Sequence, residues 1–372
     1  MTGRHAASDS RRSRTRMRYE VKDGVGAPRH AGIQVQGTVT ELQNSAALSR
    51  SALGRVRNAV GDQAVFIFFY IIFMQIIGYT AGIALIILQR LYAGIRFSPE
   101  QVVTSLSSWE VSELYVVASA VVFAFTVIYW RSKIEDAGPY GVFHRSLRSV
   151  PPLTLIACVV MTISCQAFSR FYDFGVWETT GKVVSSNLTN IGVVDTPFSF
   201  MSIAVYSCLW APVVEEVAFR GVVLTSLKRY GKIFAIVTSS LLFAVLHGNL
   251  SQGVFTFGLG LVLGYVACEF SLIWSIGLHI FSNVIATVLP FVLRISLRTM
   301  GFAGHTLSFI QMLFWLLVLL LGVAILLTNH HRVRAFSAND NVAPNVFASW
   351  TNPWFLLVIG IQIFFILWRF CH

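Results

Sequence analysis

Two adjacent carboxylates, Glu215 and Glu216, stand in a long apolar stretch with Arg220 one helical turn further on. Nothing about crossing a bilayer calls for them. An ionisable side chain near the bilayer centre costs roughly 2.5–3.5 kcal/mol on insertion scales, so such residues face the interior of a bundle and mark a site. In Pro212-Val-Val-Glu-Glu-Val-Ala-Phe-Arg-Gly221 the i, i+4 spacing stacks Glu216 and Arg220 on one helical face, where they can pair. Glu215 points about 100° away and is the freer carboxylate. Poorly solvated among Val214, Val217 and Phe219, it is expected to take a proton as a general base, while Glu216 with Arg220 holds the helix and the field.

Later apolar segments add His247, in Phe243-Ala-Val-Leu-His247-Gly-Asn249, and the pair His279 and Asn283. His247 is placed to share a water with Glu215. His279 and Asn283 are again i, i+4 and offer N–H donors without fixed negative charge, which suits an oxyanion hole. Two histidines and a glutamate also make the usual first shell of catalytic zinc, so Glu215, His247 and His279 form an alternative divalent-metal site, although His-Glu-x-x-His is absent. No other cofactor is called for. Ser282 and Ser251 lack a Gly-x-Ser-x-Gly elbow and a paired base, which argues against a serine hydrolase. The five cysteines, Cys158, Cys165, Cys208, Cys268 and Cys371, show no Cys-x-x-Cys spacing, so neither disulfides nor a thiolate metal site is expected. Cys208, two turns before Glu215, reads as a small buried hydrophobe.

These groups must be positioned by membrane helices. Of the 372 residues 55% are hydrophobic and 12% charged, and the mean hydropathy is +0.67, which excludes a soluble globular domain. The expected fold is an all-α polytopic transmembrane bundle of about eight to nine spans, roughly 64–88, 110–130, 150–169, 199–227, 233–247, 254–291 as two helices, 307–328 and 354–370. Four regions follow: a disordered basic cytoplasmic tail (1–60), amino-terminal helices (61–195), a core with the chemistry (196–295) and carboxy-terminal helices (296–372). The first span starts too late and is too long for a cleaved signal peptide.

The net charge of +11 is concentrated early, with Arg11, Arg12, Arg14, Arg16 and Arg18 followed by Arg50, Arg55 and Arg57. Juxtamembrane arginines of this kind set topology, so no nucleic-acid partner is expected. A cytoplasmic amino terminus puts this tail, the 131–149 loop with Arg145 and Arg148, the Lys228-Arg229-Lys232 turn and the His330–Arg334 loop on one side. Asp173, Glu178 and Asp195 then fall opposite, with scattered cations such as Arg96 and Lys182. Counted at 1.5 Å per residue from the basic ends of their helices, Glu215, His247 and Asn283 lie at roughly 20, 22 and 21 Å, and His279 at roughly 15 Å. Three helices thus deliver polar groups to one layer.

Glu-Glu-x-x-x-Arg (Glu215, Glu216, Arg220), Phe-x-x-x-His (Phe243, His247) and His-x-x-x-Asn (His279, Asn283), in this order on successive apolar segments, resemble the CPBP family. These are the type II CAAX prenyl endopeptidases and bacteriocin-processing or immunity-type membrane proteins, also called the Abi family. The resemblance implies an intramembrane endopeptidase in which the residue matching Glu215, helped by that matching His247, activates water. Those matching His279 and Asn283 then stabilise the oxyanion or, in the family's description as metalloproteases, bind a metal. Expected partners are a peptide or membrane-protein substrate and the lipid bilayer, and the expected location is a bacterial plasma membrane. Two readings from other classes stand beside this one: a non-catalytic immunity or scaffold protein, and a proton-coupled transporter using Glu215 and the histidines as a relay, though no obvious internal repeat supports it.

Overall fold

The computed structural model describes residues 31–94, 108–133, 149–180, 201–202, 204–300, 305–340, 342 and 345–371, with backbone alone for 31–49 and for some positions in later helices. The chain divides into Met1–Leu48 and Ser49–His372. The description of the first unit is helical backbone from Ala31, and the site lies wholly in the second. The arginines at 11–18, together with Arg96, Arg145, Arg148, Lys182 and Asp195, fall outside the described residues.

Every described element is a helix, as a lipid environment requires of a chain that must pair its own N–H and C=O groups. They are α1 (Ala31–Ile72), α2 (Tyr79–Tyr92), α3 (Ser108–Lys133), α4 (Pro152–Thr180), α5 (Ala211–Glu216), α6 (Thr225–Leu227), α7 (Lys232–Leu246), α8 (Leu250–Glu269), α9 (Leu272–Thr299), α10 (His305–Thr328), α11 (His330–Ala338) and α12 (Pro353–Cys371). Among the described residues five stretches are long and apolar enough to cross a membrane alone: Arg50–Tyr92, Leu114–Arg131, Pro152–Val176, Leu250–Glu269 and Phe309–Thr328. Lys232–Leu246, Leu272–Thr287 and Pro353–Trp368 are apolar but shorter. The protein is an all-α polytopic membrane bundle. Within 199–227, read from sequence as one span, the part from Tyr206 is a chain of short α and π segments.

One boundary moves. The sequence places residues up to 60 in an unstructured tail, yet α1 begins at Ala31, and Val56, Ala59 and Val60 are buried against the bundle. Polar residues interspersed before residue 60 hide this register, because the buried positions are only three and four apart on one face.

Lipid tails are as apolar as leucine, so close packing, more than escape from water, holds the helices together. α8 packs against α7 on one side and α4 on another, and α10 covers α4. One core joins α1 (Val60, Phe66), the segment after α5 (Phe219, Val223) and α7 (Phe234, Phe243) to Phe355 and Val358 of α12. A second joins α4, α8 and α9 through Cys158, Leu259, Leu263 and Leu278.

One end of the bundle is stapled by charge and capping. Both oxygens of Asp340 accept the first N–H groups of α7, from Lys232 at 2.7 Å and from Ile233 at 2.8 Å. Lys232 Nζ meets Glu269 at 2.7 Å and lies 5.4 Å from the Phe336 ring, so the Lys228–Lys232 turn and the helix after His330 share this end. Asn352 ties the carboxy-terminal helix to the first: its Nδ2 donates to the Arg57 carbonyl at 3.0 Å while its Oδ1 accepts the Trp354 N–H at 2.9 Å.

Candidate active site

The Glu-Glu helix is shaped by Pro212. Proline has no N–H to give and its ring crowds the carbonyl four residues back, so the chain widens into a π turn over Tyr206–Trp210 just before α5. A second π segment, Val217–Leu224, follows at once. Side chains take up the carbonyls of both: Asn283 Nδ2 donates to Ser207 O at 2.8 Å, Ser239 Oγ to Phe219 O at 2.8 Å and Thr225 Oγ1 to Arg220 O at 3.0 Å. The short α5 between them holds the two glutamates.

Glu216 is fully buried and fully engaged. Its Oε1 faces Arg220 Nη1 at 3.0 Å and receives His279 Nδ1–H at 3.0 Å, and its Oε2 receives Ser275 Oγ–H at 2.5 Å. The expected i, i+4 pair with Arg220 is present. The Arg220 guanidinium also lies 4.6 Å from the Phe243 ring and reaches the Gly260 carbonyl at 3.4 Å. A Cβ on Gly260 would stand 2.9 Å from Ser240 Oγ and 3.2 Å from Arg220 Nη2, so only glycine lets α8 come this close.

Glu215 is 21% exposed, against 0% for Glu216, and its Oε2 stands 3.7 Å from His279 Nε2. That separation is too long for a hydrogen bond, but a small rotation closes it. His279 therefore lies between the two carboxylates, Nδ1 bound to one and Nε2 turned to the other. Its N–H is thus already given to Glu216, which the sequence reading of a pair of donors did not foresee. Asn283 has given one of its two amide hydrogens to Ser207 O and lines a cavity with His279 and Glu215.

α7 stops at the right place for His247. Gly248 adopts φ +58°, a left-handed conformation that ends helices, and Asn249 Oδ1 caps the next by accepting the Gln252 N–H at 3.1 Å. His247 Nδ1 lies 2.9 Å from Phe243 O; a carbonyl only accepts, so Nδ1 carries the hydrogen and Nε2 is the basic nitrogen of the neutral ring. The Phe243 ring stands edge-on to His247 and His279, with centroids at 4.9 and 5.8 Å, and spaces the two imidazoles.

Two cavities meet at this point. One of about 230 Å³ is lined by Glu215, His247, His279 and Asn283, and another of about 510 Å³ by Glu215 and His247. All six residues singled out from the sequence thus belong to one cluster, with Glu216 and Arg220 behind its wall. Ser275 and Ser207 were missed. Ser275 had a signal, since Ser275, His279 and Asn283 recur every four residues on one face of α9; the part played by the Ser207 carbonyl had none.

The zinc alternative meets a geometric difficulty. Among the described residues no three His, Cys, Asp or Glu side chains come together closely enough to hold a metal ion, and His279 Nδ1 is committed to Glu216. Glu215, His247 and His279 as they stand do not form that donor set. Cys158, Cys165, Cys208 and Cys268 are free thiols, with Cys208 buried beside Ser207. Ser251 is tied to Ser169 of α4, with Oγ atoms 3.1 Å apart, and Ser282 is buried.

A polytopic helical bundle with carboxylates, imidazoles and an amide gathered around an internal cavity is the architecture of an intramembrane site. Residues 197–285 match the family described as type II CAAX prenyl endopeptidase Rce1-like. The match covers about a quarter of the chain and contains all six residues, so the CPBP resemblance stands on a family match as well as on motifs. At family level this supports a membrane protease. No curated protein and no solved structure matches the chain.

Proposed function

We propose that the protein is an intramembrane endopeptidase that hydrolyses a peptide bond with water activated by Glu215 and His247. Glu215 takes the proton as the water oxygen bonds to the scissile carbonyl carbon, and His247 Nε2 orients that water. The oxyanion is held by the second amide hydrogen of Asn283. His279, when it carries a proton on both nitrogens, adds an Nε2–H while Nδ1–H stays on Glu216. Glu215 then returns its proton to the leaving nitrogen, giving a free carboxylate and an amine. In a poorly solvated cavity each of these hydrogen bonds counts for more than in water. Glu216 and Arg220 do no chemistry in this reading; they fix His279.

The observation that carries the proposal is the contrast between a saturated Glu216 and an adjoining Glu215 that opens, beside His247, onto two cavities. The test is cleavage of a peptide library by detergent-purified full-length protein, compared with Glu215→Gln. Cleavage by the first and not by the second is expected, and equal rates would remove Glu215 from the role of base. Extensive chelation is expected to leave the rate unchanged, and loss of activity restored by zinc would return the metal alternative. A wild type that cuts nothing favours the scaffold or transporter readings.

A further inference from the structure

We propose that the smaller of the two cavities that meet at Glu215 and His247 selects, on one side of the scissile bond, a neutral substrate residue that donates hydrogen bonds. This rests on the protease reading and specifies its substrate.

Both cavities share Tyr115, Tyr206, Ala211, Glu215 and His247 as wall. Beyond that wall the residues differ, and each cavity mixes polar with apolar side chains. The larger is lined by Ile71, Ile72, Met74, Ile76, Leu246 and Phe365, with tyrosines and glutamines between them. The smaller is lined by Gln166, Ser169, Arg170, Asp173, Gln252 and Asn283, contributed by α4, α8 and α9. An extended chain with one residue in each chamber puts the bond between them against Glu215.

The smaller chamber also carries unmet demand. Asp173 Oδ1 and Gln252 Oε1 are buried without a hydrogen-bond partner, and among the described residues no such atom belongs to the wall of the larger chamber. Buried acceptors left unpaired are costly, and a ligand that brings N–H or O–H removes the cost. The chain around them is held in place: Ser251 is tied to Ser169 of α4, and the Gln252 backbone N–H is fixed by Asn249 Oδ1. Arg170 stands in the same wall one turn before Asp173 and opposes a cationic side chain. The fitting occupants are therefore Asn, Gln, Ser and Thr. A site that hydrogen-bonds its substrate discriminates strongly against an analogue that lacks the donor, because its own polar atoms are then left unpaired.

The experiment uses full-length protein in detergent and a peptide library, with cleavage sites read by mass spectrometry. Glu215-dependent cuts are expected to fall beside Asn, Gln, Ser or Thr, always on the same side of the bond. In Gln252→Met, and more mildly in the isosteric Asp173→Asn, the preference for Asn over Leu in the polar position is expected to fall about tenfold or more, chiefly through KM. Because the preference is a ratio measured within one variant, partial loss of folded protein cancels. Glu215-dependent cleavage with no preference for such residues, or a preference unchanged in both variants, overturns this inference alone. Absence of any Glu215-dependent cleavage overturns the protease reading and takes the inference with it.

Discussion

The two halves of the buried cluster are built on opposite principles. Around Glu216 every carboxylate oxygen is engaged, by Arg220, His279 and Ser275, and the carboxylate lines neither of the two cavities. Glu215 lines both, and its Oε2 stands 3.7 Å from His279 Nε2, beyond hydrogen-bond reach. Adjacent residues of one type can thus be assigned to holding and to reacting by partners alone. A saturated ion pair fixes geometry at little net gain in stability, but removing one partner leaves a stranded charge. An under-partnered carboxylate is free to change its proton.

Five variants would sharpen or break this contrast. Glu215→Gln is expected to lower turnover on the order of 10²–10⁴-fold with thermal unfolding in detergent nearly unchanged. A large fall in melting temperature would instead make Glu215 structural. Glu216→Ala strands Arg220 and should destabilise the fold by about 3–5 kcal/mol, visible as low yield and early unfolding. Adding Arg220→Met should recover much of that stability without restoring the rate, since His279 still lacks its anchor. Ser275→Ala removes one donor from Glu216, and a loss of about 1–3 kcal/mol in stability is expected; no change at all would show that the remaining partners suffice. Asp340→Ala, far from the cluster, should cost about 1 kcal/mol by uncapping α7, with turnover retained by the folded fraction.

Much of this contrast was legible in residue spacing. The i, i+4 relations of Glu216 with Arg220 and of His279 with Asn283 needed only helical periodicity, and the common depth of three helices anticipated a shared pocket. The π turns were not legible, because they arise from Pro212 and from carbonyls taken up by Asn283, Ser239 and Thr225 across the bundle. The tie between His279 and Glu216 also escaped, since two residues on different helices meet only through packing. The early part of the first helix was misjudged for a related reason: Val56 and Val60 join a core that also holds Phe355 and Val358, and the Arg57 carbonyl between them is bonded by Asn352, 295 positions on.

That last contact bears on biogenesis. Asn352 accepts its place only when the Arg57 carbonyl is already there, 295 residues earlier in the chain. A polypeptide threaded into the bilayer segment by segment therefore leaves this one contact of α1 open until α12 has been made. A ribosome stalled before α12 would leave all six residues of the cluster made and the Arg57 carbonyl still without the Asn352 amide.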